Sequence, residues 1–178
     1  MKAHKSIREA HLWASSLLEE QGIAEGKMVS EWMLRHLLMW ERSTFFTRFN
    51  DDFDPSLDER FQEMVKRRLS GEPLQYILGE QSFYGLTFKV DHRVLIPRPE
   101  TEALVENIVT LADTQWGKDS VLHIADIGTG SGAIAITLAK IRPNWSVTTV
   151  DISADALEVA RGNATLNGVA DRVTFVNG

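Results

Sequence analysis

The residues best suited to chemistry lie in one run, His123-Ile124-Ala125-Asp126-Ile127-Gly128-Thr129-Gly130-Ser131-Gly132. Gly128, Gly130 and Gly132 fall at alternate positions. Glycine tolerates positive φ and has no Cβ, so such a loop lets a ligand lie directly against the backbone. Two acids qualify the ligand. Asp126 precedes the first glycine, where a carboxylate repels a pyrophosphate and favours a cationic, amino-acid-bearing ligand. Asp151 closes the next apolar run, Val147 to Val150, and an acid at that point accepts hydrogen bonds from two ribose hydroxyls. Three readings fit these residues: an adenosyl sulfonium site, a dinucleotide site in which the second acid serves NAD, and a tight glycine turn with two charges near a helix start. The pairing of the acids favours the first.

The elements that must hold these residues are readable around them. Val121 to Ile127 is an apolar run, and Ile134, Leu138 and Ile141 share one helical face. Strand, glycine loop and helix together bring a ligand to the carboxyl edge of a sheet. Upstream, Pro97-Arg98-Pro99-Glu100-Thr101-Glu102 fixes an extended approach and then releases the chain into a helix with Leu104, Ile108, Leu111 and Ala112 on its apolar face. Arg98 and Thr101 either reach the ligand or mark a helix start with favourably placed acids. Before that, Tyr84, Leu86, Phe88 and Val90 alternate with Gly85, Thr87, Lys89 and Asp91. With a turn at Asp91-His92-Arg93 and a returning run from Val94 to Ile96, this predicts a β-hairpin over Ser82 to Ile96. Gly71, Pro73 and Gly79 place a domain boundary just ahead of it.

The N-terminal third is helical. Ser6 and Glu9 form a capping box, Ile7, Ala10, Ala14, Leu17 and Leu18 line one face, and Gly22 ends the helix. A second helix is predicted from about Lys27 to Trp40 on the stripe Val29, Met33, Leu37 and Trp40. Asp54 and Pro55 start a third, with Leu57, Phe61, Val65 and Leu69 inward and Gly71 at its end. Nothing here resembles catalytic chemistry, so the bundle is either a substrate-recognition module or a structural cap. His4, His11 and His36 lack metal-site spacing, and no metal is expected. Trp13, Trp32 and Trp40 read as core residues, and Lys66-Arg67-Arg68 as charges set against a helix dipole.

With 178 residues the chain has room for one ordinary domain or two small ones, and its net charge of −6 argues against non-specific nucleic-acid binding as its main work. The absence of cysteine excludes disulfides, thiolate zinc sites and cysteine nucleophiles and fits a reducing cytoplasm. No signal peptide and no membrane-spanning stretch is expected.

Taken in order, Gly71 to Gly79 (Gly-Glu-Pro-Leu-Gln-Tyr-Ile-Leu-Gly), Phe83-Tyr84-Gly85-Leu86, Val94 to Glu102 and Asp126 to Gly132 resemble the release-factor glutamine methyltransferases, the PrmC or HemK family. The proline-arginine-proline-glutamate segment between hairpin and glycine loop is the most particular of these. The resemblance implies an α/β protein: a helical release-factor-docking domain over 1–72, a linker and hairpin over 73–96, and over 97–178 the first half of a doubly wound, Rossmann-like class I methyltransferase domain. It implies methyl transfer from S-adenosylmethionine to the glutamine amide in the Gly-Gly-Gln motif of peptide chain release factors, with neither a membrane nor a nucleic acid as direct partner. It assigns Gly128, Thr129, Gly130, Ser131 and Gly132 to the methionine part of the cofactor and Asp151 to its ribose. Asp126 would lie near the ammonium, and Arg98 and Thr101 would border the cavity. The family's Asn-Pro-Pro-Tyr motif, which holds the target amide, does not occur before Gly178. A chain of this extent is therefore expected to carry no catalytic residue of its own and to be inactive alone.

Overall fold

Capping side chains decide where the first helices begin. In the computed structural model, which describes residues 4–178, the Ser6 hydroxyl accepts the Glu9 N–H at 3.2 Å and α1 runs Ile7–Glu20. Helix α2 covers Gly26–Leu38 and stops where Met39 turns left-handed, two residues short of the predicted end at Trp40. Asp54 accepts the Ser56 N–H at 2.8 Å and starts α4, Pro55–Leu69. Two short helices were not foreseen: α3, Arg42–Thr47, which delivers the fully buried Phe45, and α5, Leu74–Leu78. The core of this region joins Ile7, Ala14, Leu18, Met33, Leu34, Phe45, Phe61 and Val65. Of the basic run, Arg67 grips Glu72 through two nitrogens and Arg68 donates to the Glu72 carbonyl, so both close the end of α4.

The chain divides into two compact units, Met1–Leu78 and Gly79–Gly178. The hairpin belongs with the second, because its Phe83 and Phe88 sit in the same core as Ile136, Leu138, Trp145 and Val147. Its geometry departs from expectation. Strands β1, Glu80–Phe83, and β2, Leu86–Lys89, pair antiparallel with Phe83 opposite Leu86. The turn is therefore Tyr84-Gly85, both at positive φ (52° and 73°), one strand earlier than predicted. Asp91-His92-Arg93 does form a turn: the Asp91 carboxylate accepts the Arg93 N–H at 2.9 Å, and the Arg93 guanidinium pulls its pKa down to about 2. Val94 to Ile96, however, joins no strand: the Val94 N–H donates back to the Asp91 carbonyl at 3.1 Å and closes the turn.

Helix α6, Glu100–Trp116, buries Val105 and Ala112, whereas Leu104 and Leu111 of the expected apolar face remain 48% and 57% exposed. Then follow β3 (His123–Ile127), α7 (Ala133–Ile141), β4 (Ser146–Asp151), α8 (Ala154–Leu166) and β5 (Val173–Asn177). The strands form a parallel sheet in the order β3-β4-β5, with α7 and α8 both packed on β4 and β5. Parallel strands joined through helices give the Rossmann-like pattern. Strand β4 lies centrally and β3 at an edge. Among the described residues no helix is long and apolar enough to cross a membrane.

Candidate cofactor site

The glycine loop leaves the end of β3 and is pinned to the end of β4. The N–H groups of Gly128 and Thr129 both donate to the Val150 carbonyl, at 2.8 and 3.1 Å. The Gly130 N–H donates to Asp151 Oδ2 at 2.9 Å, and the other Asp151 oxygen accepts the Ser153 N–H at 2.9 Å. Asp151 thus shapes the loop before it meets any ligand. The Thr129 carbonyl accepts the Gly132 N–H, and Gly132 opens α7.

All three loop glycines have positive φ, but they serve two purposes. A Cβ added at Gly128 or Gly130 would meet nothing within 4 Å. These two positions form a bare backbone cradle open to a ligand. A Cβ at Gly132 would lie 2.6 Å from Ile136 Cδ1 and 3.2 Å from Ala160 Cβ, so this glycine lets the loop pack on α7 and α8.

The charges beside the cradle are both negative. Asp126 is partly buried at the end of β3, and Thr149 donates to its Oδ2 at 2.9 Å. Burial raises its pKa above the ordinary carboxylate value, the Asp151 charge adds to that rise, and the Thr149 hydrogen bond opposes it. An open cradle between two carboxylates suits a cation and leaves a pyrophosphate unneutralised. Ile152 follows Asp151 at the same sheet edge and is 87% exposed, and Ile127 is 78% exposed. They offer apolar surface beside the polar cradle.

Arg98 and Thr101 stand apart from this network. The Arg98 carbonyl accepts the Thr101 N–H at 3.0 Å, forming the turn into α6. Among the described residues, no hydrogen bond joins either side chain to the glycine loop, Asp126 or Asp151. Their neighbour Glu102 instead accepts the Tyr84 N–H at 2.7 Å and holds the hairpin's left-handed turn.

Asn163, fully buried on α8, has a role that the sequence analysis did not assign. Its Oδ1 accepts the Lys89 N–H at 2.7 Å, and its Nδ2 donates to the carbonyls of Lys89 and Ser131 at 3.0 and 2.9 Å. One amide thereby ties the hairpin to the glycine loop. The signal was present: Asn163 falls on the helical face of Ala156, Val159 and Ala160, where a polar residue needs buried partners. Asn163→Ala leaves one donor and two acceptors without their partner, and we expect it to cost the second unit roughly 2–4 kcal/mol in urea denaturation.

Comparison with known proteins agrees with this geometry. Residues 118–178 match a family described as a methyltransferase domain, and residues 9–79 match the PrmC N-terminal domain. The second unit is therefore part of a Rossmann-like methyltransferase domain. The release factor glutamine methyltransferase of Bacillus anthracis is 41% identical over 172 residues, covering 97% of this chain and 59% of that protein. That of Chlorobaculum tepidum is 44% identical over 158 residues, covering 88% and 54%. By sequence the chain is similar to release factor glutamine methyltransferases along nearly all of its length, and it spans a little over half the length of these relatives. An RNA methyltransferase of Salinibacter ruber, solved with S-adenosyl-L-homocysteine, overlaps 47% of this chain and 50% of its own at 31% identity and a TM-score of 0.38, too partial a match to bear on function.

Proposed function

We propose that this chain carries the S-adenosylmethionine-binding part of an enzyme that methylates the glutamine side-chain amide of peptide chain release factors in the cytoplasm. The observation that carries the cofactor is the cradle at Gly128 and Gly130 between Asp126 and Asp151; the names of the relatives support the substrate. The bound cofactor would supply an electrophilic methyl group on a sulfonium. Gly128, Thr129, Gly130 and Ser131 would face its methionine part, with Gly132 keeping the loop closed on its helix. Asp126 would hold the ammonium. Asp151, already fixed by two backbone N–H groups, would accept the ribose hydroxyls, with Ile152 covering the neighbouring ring. Arg98 and Thr101 would border the cavity. The helical unit would dock the release factor.

An amide nitrogen is a weak nucleophile, so the remaining requirement is alignment of nitrogen, methyl carbon and sulfur. The family's Asn-Pro-Pro-Tyr motif, which serves that purpose, is not in these 178 residues. Calorimetric titration with S-adenosylmethionine, with NAD as control, tests the reading. Binding of the first alone supports it, whereas binding of NAD, or of neither, overturns it for this chain.

Asp126→Asn separates binding from stability. Because the folded-state pKa is raised, the carboxyl favours folding when protonated. That contribution is present below the unfolded value of about 3.9 and lost as pH rises through the higher folded value. At pH 7 the buried charge is therefore a cost. The substitution should raise the ligand-free melting temperature at pH 7, have little effect below about pH 4, and weaken S-adenosylmethionine binding. A lower melting temperature at pH 7 would show that Asp126 is a structural anion.

A further inference from the structure

A buried hydroxyl joins the glycine loop to Asp126. Thr149 lies on the central strand β4 with no solvent exposure. Its Oγ1 is 2.9 Å from Asp126 Oδ2 and 2.6 Å from Thr129 Oγ1. A hydroxyl carries a single proton. When Asp126 is ionised, the Thr149 proton goes to the carboxylate, and Thr129, itself 6% exposed, must donate to Thr149. The order is fixed: Thr129 to Thr149 to Asp126. The second carboxylate oxygen, Oδ1, has no hydrogen-bond partner among the described residues, so the relay constrains one oxygen of Asp126 and leaves the other available.

We propose that Thr149 is a positioning residue of the cofactor site: its hydroxyl locks Asp126 to Thr129, so that the carboxylate and the backbone cradle meet the ammonium end of a cationic sulfonium ligand as one unit. This rests on the cofactor reading above. A threonine filling space in the sheet would be served equally well by valine. A threonine in a relay would not, because the carboxylate would lose its donor and the Thr129 hydroxyl its acceptor in a buried setting. The charged group acting on Asp126 is Asp151, a like charge. Among the described residues no cation compensates, and the Thr149 hydrogen bond is what favours the ionised form of the carboxylate there.

The test compares wild type with T149V, T149S and T129V by two measurements: carboxyl NMR titration of Asp126 in the ligand-free chain, and calorimetry with S-adenosylmethionine between pH 5 and 8. In T149V, Asp126 should titrate at higher pH than in wild type, affinity should fall about tenfold, and the acid-side loss of binding should move to higher pH. T149S should restore all three. T129V cuts the relay on the loop side, away from β4, and should weaken binding while leaving the Asp126 titration near that of wild type; it keeps the proposal testable even if T149V does not fold. Coincident titrations of wild type and T149V, T149S behaving as T149V does, or wild-type affinity in T129V would overturn the proposal. The two readings fail separately. A relay visible by NMR with no S-adenosylmethionine binding sinks the cofactor assignment alone, and binding with coincident titrations sinks the relay alone.

Discussion

Gly132→Val should unfold the second unit, or weaken it by roughly 3–5 kcal/mol, because it combines a β-branched residue at positive φ with overpacking of a close-packed contact. The φ of +83° and the approach of a Cβ to 2.6 Å from Ile136 act together. Neither neighbour can retreat easily, since Ile136 and Ala160 are both fully buried. Gly130→Ala is the matched control. It shares the left-handed backbone, but its Cβ meets nothing within 4 Å. It should cost only about 1 kcal/mol of stability while filling the cradle and abolishing S-adenosylmethionine binding. Amide exchange in β4 reports the first effect and calorimetry the second. If both variants lost stability equally, the two purposes assigned to these glycines would collapse into one.

Asp151→Ala should weaken S-adenosylmethionine binding by at least about a hundredfold, or roughly 2.7 kcal/mol at 1.36 kcal/mol per decade. Two losses combine. The ribose would lose its acceptor, and the N–H groups of Gly130 and Ser153 would lose theirs, freeing the loop before any ligand arrives. The second loss alone should lower stability by about 1–3 kcal/mol. Asp151→Asn separates the two, because its single carbonyl oxygen keeps one of the backbone bonds. It should recover part of the stability and little of the affinity. Full affinity in Asp151→Asn would mean that the carboxylate serves the loop and not the ligand.

The parts of the molecule that were readable from sequence are those fixed by neighbours in sequence. Ser6 and Asp54 cap helices through N–H groups two or three residues ahead, and the strand, glycine loop and helix around Gly130 follow from adjacent hydrophobic runs. The misreadings around the candidate site involve partners far along the chain, whereas the early stop of α2 at Met39 and the short helices α3 and α5 are local features. The Tyr84-Gly85 turn was missed because a bulky residue at positive φ is rarely expected; Tyr84 adopts it with its N–H held by Glu102, eighteen positions away. Asn163 finds its acceptors at Lys89 and Ser131. Thr149 looked like an ordinary β-branched strand residue until β3 and the loop closed over it. For α6, periodicity gave an apolar stripe but not which part of it is covered, so Leu104 and Leu111 were taken as core.

The edge position of β3 also sets a clock. In a parallel ladder alternate N–H groups face the neighbouring strand, and with Gly128 directed at Val150, those of Ala125 and Ile127 fall on the side where, among the described residues, no strand pairs. They should exchange with deuterated solvent orders of magnitude faster than amides of β4, which wait for a larger opening of the unit. The strand that carries Asp126 therefore belongs to the fast-exchanging part of its own sheet. Any backbone that pairs with that edge would slow those two amides first, so their lifetimes report occupancy of the edge without a bound structure.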